Sequence, residues 1–458
     1  MKSNAPRFIV YELNELAKKT LDFFVSKYPK SIFATFANHG CVYNTITHDA
    51  GELHPWSSWP SLYRGVTNDI HQIYFVNQPR IKDSEYPPLW ESLLERDYTI
   101  GIFGTLQSYP PLRHKNVSFF VPDTFAPSPE AIPSQLTSLQ EFNLSMTGQN
   151  KGVPSKASLE DGKKLMYLWR KKIVSTHSVV SIAKHVLAES FNPAFKTRRQ
   201  NLQSILLFDS FYNLLSHYKP DFSTFFCNNL AAMQHRYWIH TFPEDCLSYQ
   251  VERDSFLAKN IEISMQIASQ QLSRLYAFSI KYNYTLICAG AIGQESIKPV
   301  DLNNEILVQD ISRLLNALNL SENDYSQLLA MQPDICIESQ SLEALNTLRL
   351  SIKKITDMEG TCLFSERHEP VGNRLNLSLK NSAKLKIDKI VLVNGTPWPL
   401  EKAGLVSIKR HPGTAYHTPK GLVLAIGPYQ DLLKEYTNSN GHIDICDVYS
   451  ALNNVYFY

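Results

Sequence analysis

Long apolar runs are missing from this sequence. No stretch approaches the 18 or so apolar residues that a membrane-spanning helix needs. The N-terminal residues pass directly into the short apolar segment at 8–11, without the apolar core and small-residue cleavage site of a secretory signal. We therefore expect a cytoplasmic protein with no membrane span.

Cysteine pairs and an excess of charge are missing as well. The seven cysteines are scattered and never form a C-x-x-C pair, which is typical of buried thiols in a reducing compartment and argues against disulfides or structural zinc. The 45 basic residues nearly balance the 43 acidic ones, which leaves a net charge of +2. Such a balance gives no global attraction to nucleic acid or to an anionic membrane, so any charged ligand must be recognised locally.

Short apolar segments alternate with amphipathic ones along the 458 residues, and this alternation is typical of an α/β sheet. The length allows two or three domains or one elaborated α/β domain. We predict strands at 8–11, 98–103, 221–227, 284–288 and 421–427. We predict helices at 16–25, 88–95, 201–218 and 256–282.

Two segments interrupt the alternation and suggest insertions. Residues 107–199 lack a strong strand signal and contain a basic amphipathic region around Trp169. Residues 296–400 contain two predicted helices and then alternating residues such as 383–393, which indicates a small α+β insertion. The predicted organisation is therefore a core at 1–106, 200–295 and 401–458, a cap at 107–199 and an α+β insertion at 296–400.

A polar loop at 54–71 combines prolines, tryptophans and serines. Ser58 stands before Trp59-Pro60, and the proline restricts the backbone of the residue before it. Ser58 is therefore either the N-terminal cap of a helix or a hydroxyl that is presented to an anion.

Four polar groups stand at or near the ends of predicted strands, where open α/β sheets bind their ligands. They are Glu12, Asn14 and Glu15 after the first strand, the Ser58 loop, Asn228 and Asn229 with His235, and His417 before the last strand. Each has a structural alternative: Asn14 and Glu15 are also typical of a cap, and His235 of a hydrogen-bonded core histidine.

Three blocks resemble the alkaline phosphatase superfamily, most closely its type I phosphodiesterase and nucleotide pyrophosphatase branch. They are the block at 59–71, the block Gln234-His-Arg-Tyr-Trp238 and the block at 413–422 around His417. Their order and spacing extend over nearly the whole chain. The resemblance implies a mainly parallel sheet between helices, and two metal ions that flank a Ser or Thr nucleophile in phosphoryl transfer.

Carried over to this chain, the resemblance implies that Ser58 is the nucleophile, that His235 and His417 are metal ligands or acid–base groups, and that Glu12 or Asn14 replaces the first-strand aspartate. Two family elements are missing. Ala231 stands where the family has an aspartate, and 289–294 replaces a Ser-Asp-His-Gly element. Because zinc needs about four N, O or S ligands, we expect no two-metal site. We expect at most one divalent ion of the zinc or manganese class on Glu12, His235 and His417, with Asp49 or Glu52 as further candidates.

The resulting expectation is a hydrolase or transferase that acts on a phosphodiester or a related phosphoryl or sulfuryl group of a small molecule or glycan. A weaker similarity suggests a role in nucleotide-sugar or surface polysaccharide metabolism. Asn14, Asn228, Asn229, Trp59 and Trp238 are the expected substrate-binding residues. The alternatives are catalysis without metal and an inactive ligand-binding or scaffold protein, because fold alone does not fix function.

Two further clusters each have an ordinary structural explanation beside a functional one. His48, Asp49, Glu52 and His54 share one loop and form either an additional metal or acid–base cluster or an ordinary solvated loop. His71 is expected to be structural. Lys171, Lys172, Arg198 and Arg199 form either solvated helix faces or an anion clamp in the cap.

Overall fold

The computed structural model describes residues 5–76, 78–148, 159–246, 252–297, 305–328, 330, 334–379, 389–408 and 414–457. The strands in chain order are β1 Phe8–Leu13, β2 Cys41–Ile46, β3 Ile100–Phe103, β4 Val117–Val121, β5 Phe222–Cys227, β6 Thr285–Gly290, β7 Gly293–Ser296, β8 Glu305–Val308, β9 Tyr325–Leu328, β10 Ile335–Ser339, β11 Ile355–Thr356, β12 Phe364–Glu366, β13 Arg374–Leu379, β14 Ile390–Val393, β15 Thr396–Pro399, β16 Leu405–Ile408, β17 Ala415–Thr418, β18 Lys420–Ile426 and β19 His442–Asp444.

The α-helices in chain order are α1 Lys18–Lys27, α2 Ile32–His39, α3 Pro55–Arg64, α4 Asn68–His71, α5 Leu89–Glu95, α6 Thr137–Gly148, α7 Leu159–Arg170, α8 Thr176–Phe191, α9 Arg199–Tyr218, α10 Asn229–Thr241, α11 Asn260–Tyr282, α12 Ile311–Ala317, α13 Leu342–Ile352 and α14 Asp447–Phe457. None of the helices in the described ranges is both long and apolar enough to cross a membrane.

The chain divides into two compact units. The first consists of Met1–Ile73, Ile81–Ile297 and Thr414–Tyr458, and the second of Tyr74–Arg80 and Lys298–Gly413. The domain boundaries expected from the sequence remain predictions.

An eight-stranded sheet in the order β19-β2-β18-β6-β1-β5-β3-β4 dominates the first unit. β6, β1, β5, β3 and β4 run parallel to one another, whereas β18 is antiparallel to both β6 and β2. β1, β5 and β6 are buried along their whole length, as expected for parallel strands covered on both faces. The predicted α/β class with a mainly parallel sheet is confirmed.

The second unit contains smaller antiparallel sheets. β12-β13-β10-β9 form four strands, β11-β14-β15 form three, and β16 pairs with β8. A separate core fills this unit, including Leu314, Leu348, Leu363 and Leu375. Of the alternating segment predicted at 383–393, only the part from 389 lies within the described residues, and it contains β14.

Three strands of the central sheet were not predicted: β2, β4 and the three-residue edge strand β19. β2 is only partly buried, so its sequence does not show a continuous apolar run. β4 lies in the segment 107–199, where the sequence gives no strong strand signal, and it pairs with β3 as the edge of the central sheet. Val117, Phe119 and Phe120 are its buried residues.

The parallel pairing brings three chain segments to one edge of the sheet. Glu12 and Leu13 at the end of β1 are in register with Phe226 and Cys227 of β5, and Glu12 is also in register with Ala289 of β6. The residues that follow these strands therefore meet at the carboxyl edge, where α/β sheets hold their ligands.

Candidate metal centre

The turn after β1 carries Glu15 in an unusual backbone conformation. Its φ of 58° lies in the left-handed region that non-glycine residues rarely adopt. Gln234 of α10 holds the turn by donating Nε2 to Glu15 O at 2.7 Å. A Cβ on Gly290 would lie 3.1 Å from Leu16 N and 3.2 Å from Leu13 O, so a larger residue there would press on the turn. The neighbouring elements thus fix the position of Glu15.

The Glu15 carboxylate is buried and contacts four side chains. Asn14 Nδ2 donates to Oε1 at 2.9 Å, and Gln294 Nε2 donates to Oε2. His235 Nε2 and His417 Nε2 lie 2.9 and 3.4 Å from Oε2. Burial alone would raise the pKa of Glu15, but the charges of His417 and His235 outweigh it, so this pKa lies well below its usual range. The carboxylate is therefore held as an anion.

Backbone carbonyls orient both histidines towards Glu15. His235, on α10, places Nδ1 2.9 Å from Ala415 O, and His417, on β17, places Nδ1 2.6 Å from Leu53 O. A carbonyl oxygen only accepts hydrogen bonds, so each Nδ1 carries the proton and each Nε2 faces the carboxylate. The His417 pKa is raised, because the attraction of Glu15 outweighs the lowering by burial.

Glu15, His235 and His417 offer three ligand atoms that all lie within 4.8 Å of one another. One carboxylate oxygen and two imidazole nitrogens are a donor set that suits a divalent ion of the zinc class. Metal-bound histidines typically donate their other ring nitrogen to a carbonyl or carboxylate, as both histidines do here. The residues therefore fit one ion, and without an ion the same distances suit an imidazolium–carboxylate pair.

Glu12 lies apart from this group. Its Oε1 accepts hydrogen bonds from Tyr63 at 2.5 Å and Thr105 at 2.9 Å, and its Oε2 is buried without a hydrogen-bond partner. Burial raises the pKa of Glu12 to about 8, although the two hydrogen bonds oppose the rise. The carboxylate beside the histidines is thus Glu15, which the sequence offered either as part of the polar group after the first strand or as a cap, and not Glu12.

The predicted substrate-binding residues separate into two sets. Asn14 Nδ2 also donates to Asn228 Oδ1 at 2.8 Å, and Trp59 Nε1 donates to Asn14 Oδ1 at 2.9 Å. These three side chains therefore lie beside Glu15. Asn229 instead bonds with Cys227 and Asn201.

Trp238 also lies in the core and not at the site. It donates Nε1 to Asp245 at 3.0 Å and is 1% exposed.

The segment 52–56, which leads into the first residues of α3, covers one side of His417. His54 stacks on Trp56 with ring centroids 4.3 Å apart, and it meets His417 edge-on at 5.7 Å. Glu52 Oε1 accepts a hydrogen bond from Tyr416 at 2.6 Å and lies 3.8 Å from His54 Nε2. Glu52 and His54 therefore belong to the surroundings of His417, whereas His48 faces Asp444 at 3.8 Å.

Helix α3 begins earlier than the sequence indicated. It starts at Pro55, with Pro60 inside it, so the interpretation of Ser58 as an N-terminal cap is wrong. Pro60 has no N–H to donate to Trp56 O, and Gln107 Nε2 approaches that oxygen at 3.4 Å instead. This substitute donor allows a proline at an interior helical position.

Ser58 is fully buried in α3. Its hydroxyl donates to His54 O at 3.2 Å, one helical turn earlier. A hydrogen bond from Ser58 is also among those that lower the pKa of Asp49, although burial outweighs them and raises it overall. In this conformation the Ser58 hydroxyl is bound to a backbone carbonyl of its own helix turn. Its side chain would have to rotate to present the hydroxyl to a ligand.

A second polar cluster, of Asp49, Ser61 and His71, has a structural geometry. Ser61 Oγ donates to Asp49 at 2.6 Å and lies 2.9 Å from His71 Nε2. His71 Nδ1 accepts from Ile73 N at 3.0 Å, so Nε2 carries the proton and donates to the serine. Since the imidazole has no free nitrogen towards Ser61, it does not act as a base there.

No protein-family model matches the sequence, and no curated protein matches it either. Comparison with solved structures finds similar chains. Murine ectonucleotide pyrophosphatase/phosphodiesterase 5 is 11% identical, with 98% of this chain and 95% of that chain covered and a TM-score of 0.40. Its human counterpart is 10% identical, with 98% and 95% covered and a TM-score of 0.41.

Phosphonoacetate hydrolase from Sinorhizobium meliloti 1021, in complex with phosphonoformate, is 11% identical, with 99% of this chain and 96% of that chain covered and a TM-score of 0.46.

Proposed function

We propose that this chain binds one divalent ion through Glu15, His235 and His417 and hydrolyses or transfers a phosphoryl or related group, with a phosphodiester as the substrate class. The observation that carries the proposal is the orientation of the two imidazoles. Both Nδ1 atoms are occupied by backbone carbonyls, and both Nε2 atoms converge on one buried carboxylate oxygen.

The roles of the residues follow from these contacts. An ion bound here would polarise a phosphoryl oxygen or lower the pKa of a water molecule. Asn14 and Gln294 hold the two oxygens of Glu15 in place. The side chain of His235 is 28% exposed and that of His417 only 7%, so a substrate approaches from the side of His235.

Two nucleophiles are compatible with this proposal. The sequence resemblance favours Ser58, which requires its hydroxyl to leave His54 O and rotate towards the ion. Water is the alternative, since His235 is accessible to solvent. We further propose, from the resemblance alone, a cytoplasmic role on nucleotide-sugar or surface-glycan phosphates.

A specific observation favours the second candidate function, an inactive ligand-binding protein. Ala231 and Ala289 provide no side-chain ligand, and Ser58 is buried in its helix. A single ion on two histidines and one carboxylate can bind a phosphate without the second ion that aligns a leaving group.

The experiment measures metal content and turnover of an aryl phosphodiester by the purified protein and by Glu15→Gln, His417→Ala and Ser58→Ala. The matched control is Glu295→Gln, which changes an exposed carboxylate on β7. We expect stoichiometric metal and turnover in wild type and control, and loss of both in Glu15→Gln and His417→Ala. Metal without turnover would favour the binding protein. Absence of metal after loading with zinc and with manganese would refute the proposed centre.

The Ser58→Ala result identifies the nucleophile. Retained metal with turnover lost would assign the attack to Ser58. Retained metal with turnover unchanged would assign it to water.

A further inference from the structure

The cap helices α7 and α8 expose large apolar side chains in one part of the first unit. Trp169 is 39% exposed, Leu187 59% and Phe191 83%. Met166, Tyr167, Val180 and Val186 are exposed as well. We call the exposed side chains of residues 163–191 the cap face. Such a concentration of exposed apolar area is unusual for a surface that only meets water.

The outer apolar stripe of α8 does not pack on the protein's own core. Its inner side already packs on the core through Val179 and Ile182. Ser178 anchors that same side by donating to Asp209 at 3.0 Å. Val180, Lys184, Leu187 and Phe191 follow at spacings of four, three and four residues and are all exposed, which places them on one stripe of the helix.

The charge of the cap face has one sign. Its exposed basic residues are Lys163, Lys164, Arg170, Lys171, Lys172 and Lys184. The nearby acidic residues are Glu160 and Asp161 at the start of α7 and Glu141 of α6, which lines a cavity with Lys163 and Lys164, whereas from 162 to 196 the sequence contains only Glu189. Glu189 is buried and paired with Arg199. The protein as a whole is nearly neutral at +2, so this positive surface is a local feature.

The combination of exposed apolar side chains and positive charge distinguishes between the possible binding partners of the cap face. A second copy that met the cap face through the same face would place lysine against lysine, which is destabilising. A nucleic acid would attract the lysines but would leave aliphatic side chains such as Leu187 and Val180 without an apolar partner. On α8, Lys184 shares a stripe with Leu187 and Phe191, and Trp169 of α7 is followed by Lys171 and Lys172. Exposed apolar side chains next to basic ones are typical of a surface that lies in the interface of an anionic bilayer.

We infer that the cap face binds the surface of an anionic lipid bilayer. Trp169, Leu187 and Phe191 insert at the boundary between headgroups and acyl chains, and the lysines of the cap face, including Lys171 and Lys172 after α7, contact lipid phosphates. This binding is peripheral and separate from the metal centre.

The test uses the full-length protein and vesicle co-sedimentation. Wild type is measured with phosphatidylcholine alone and with about 30 mol% phosphatidylglycerol added, at about 0.05 M and about 0.5 M NaCl. We expect binding to the anionic vesicles at low salt, weaker binding at high salt and little binding to phosphatidylcholine. No binding to anionic vesicles at low salt would refute the inference.

Two double variants separate the contributions. Lys171→Glu with Lys172→Glu should weaken binding at least about 30-fold, since each basic residue near such a surface contributes roughly a factor of five. Their matched control is the exposed adjacent pair Lys353→Glu with Lys354→Glu in the second unit, which should bind as wild type. If both double variants lose vesicle binding equally, the effect is one of net charge, and a specific membrane-binding face is refuted.

Leu187→Glu with Phe191→Glu should weaken binding about 100-fold or more, because the apolar insertion is lost. The matched control is Leu350→Glu on α13, whose side chain is 67% exposed. If the Leu187/Phe191 variant binds vesicles like wild type, the inference is refuted.

Two further measurements test nucleic acid and a second copy of the chain as partners of the cap face. Trp169 is the one exposed tryptophan of the six, so its fluorescence should shift to shorter wavelength with anionic vesicles and not with duplex DNA. DNA binding at equal salt that is as tight as vesicle binding and unaffected by the Leu187/Phe191 variant would assign the face to nucleic acid. A dimer in solution that the same variant dissociates would assign it to self-association.

Discussion

The buried carboxyl group of Glu12 makes a quantitative prediction about pH. It lies among Tyr63, Thr105 and the central strands, and its Oε2 has no hydrogen-bond partner. Burial is the largest cause of the rise of its pKa from 4.5 to about 8. Each pKa unit corresponds to about 1.4 kcal/mol, so ionising Glu12 in the folded protein costs on the order of 5 kcal/mol.

The sign follows from proton binding. Between about pH 4.5 and pH 8 the folded protein keeps the Glu12 proton while the unfolded chain releases it. Because the native state binds more protons in this window, the free energy of unfolding decreases as pH rises. Below about pH 4.5 both states are protonated, and above about pH 8 both are ionised, so the contribution of Glu12 is constant outside the window.

Glu12→Gln removes this dependence, because the amide is neutral and its oxygen still accepts from Tyr63 and Thr105. Relative to wild type, the variant should gain about 4 kcal/mol of stability between about pH 5 and pH 8. Urea unfolding of both proteins across this range measures the change. Glu295→Gln, at an exposed carboxylate, is the control and should follow wild type. Parallel curves for wild type and Glu12→Gln would show that Glu12 is ionised in the fold and refute the reasoning.

The same contacts make three more predictions. His71 is buried with its pKa lowered to about 3, chiefly by burial, so acid destabilises the fold below about pH 6.5, and His71→Gln should flatten that arm of the urea-unfolding profile. Trp59→Phe leaves Asn14 Oδ1 without its donor and should lower the free energy of unfolding by about 1–3 kcal/mol in urea titrations. Gly290→Ala presses on the Glu15 turn and should weaken metal affinity at least about 10-fold in competition titrations, whereas Gly162→Ala, in open space, should leave it unchanged.

The central strands were predictable because a strand that is buried on both faces consists mostly of apolar residues. β1, β5 and β6 show such runs, and their predicted bounds differ from the observed ones by one or two residues. The short edge strand β4 was missed because its apolar residues lie within a segment rich in polar and turn residues. A sequence pattern does not show that such a short strand finds a partner in β3.

Helix α3 was misread for a different reason. A proline inside a helix becomes tolerable only when another group serves the carbonyl that it leaves free. That group is Gln107, far from Trp56 in the chain. Local rules for helix starts therefore favoured Pro60, whereas the tertiary contact allows the start at Pro55.

For Glu15 the sequence left two roles open, a member of the polar group after the first strand or a cap, and it gave the candidate metal-ligand role to Glu12 instead. The family pattern directed attention to the strand, where Glu12 points towards Tyr63, and the turn beyond it has a left-handed residue that no local signal announces. One residue far away in the sequence is related to this turn. Gly290, at the end of β6, has no side chain and so leaves room for the turn that carries Glu15.

Gln294 links position 231 to the Glu15 carboxylate. Gln294 Nε2 donates both to Ala231 O, at 3.1 Å, and to the Glu15 carboxylate. Its strand partner across the β7–β17 ribbon is His417, so Gln294 contacts both Ala231 and Glu15 and lies in register with a histidine of the candidate metal centre. Two imidazoles and one carboxylate balance a single divalent ion much better than two, because a second ion would add positive charge with no further anionic ligand in this group. The charge of Glu15, His235 and His417 therefore favours one ion over two at this group.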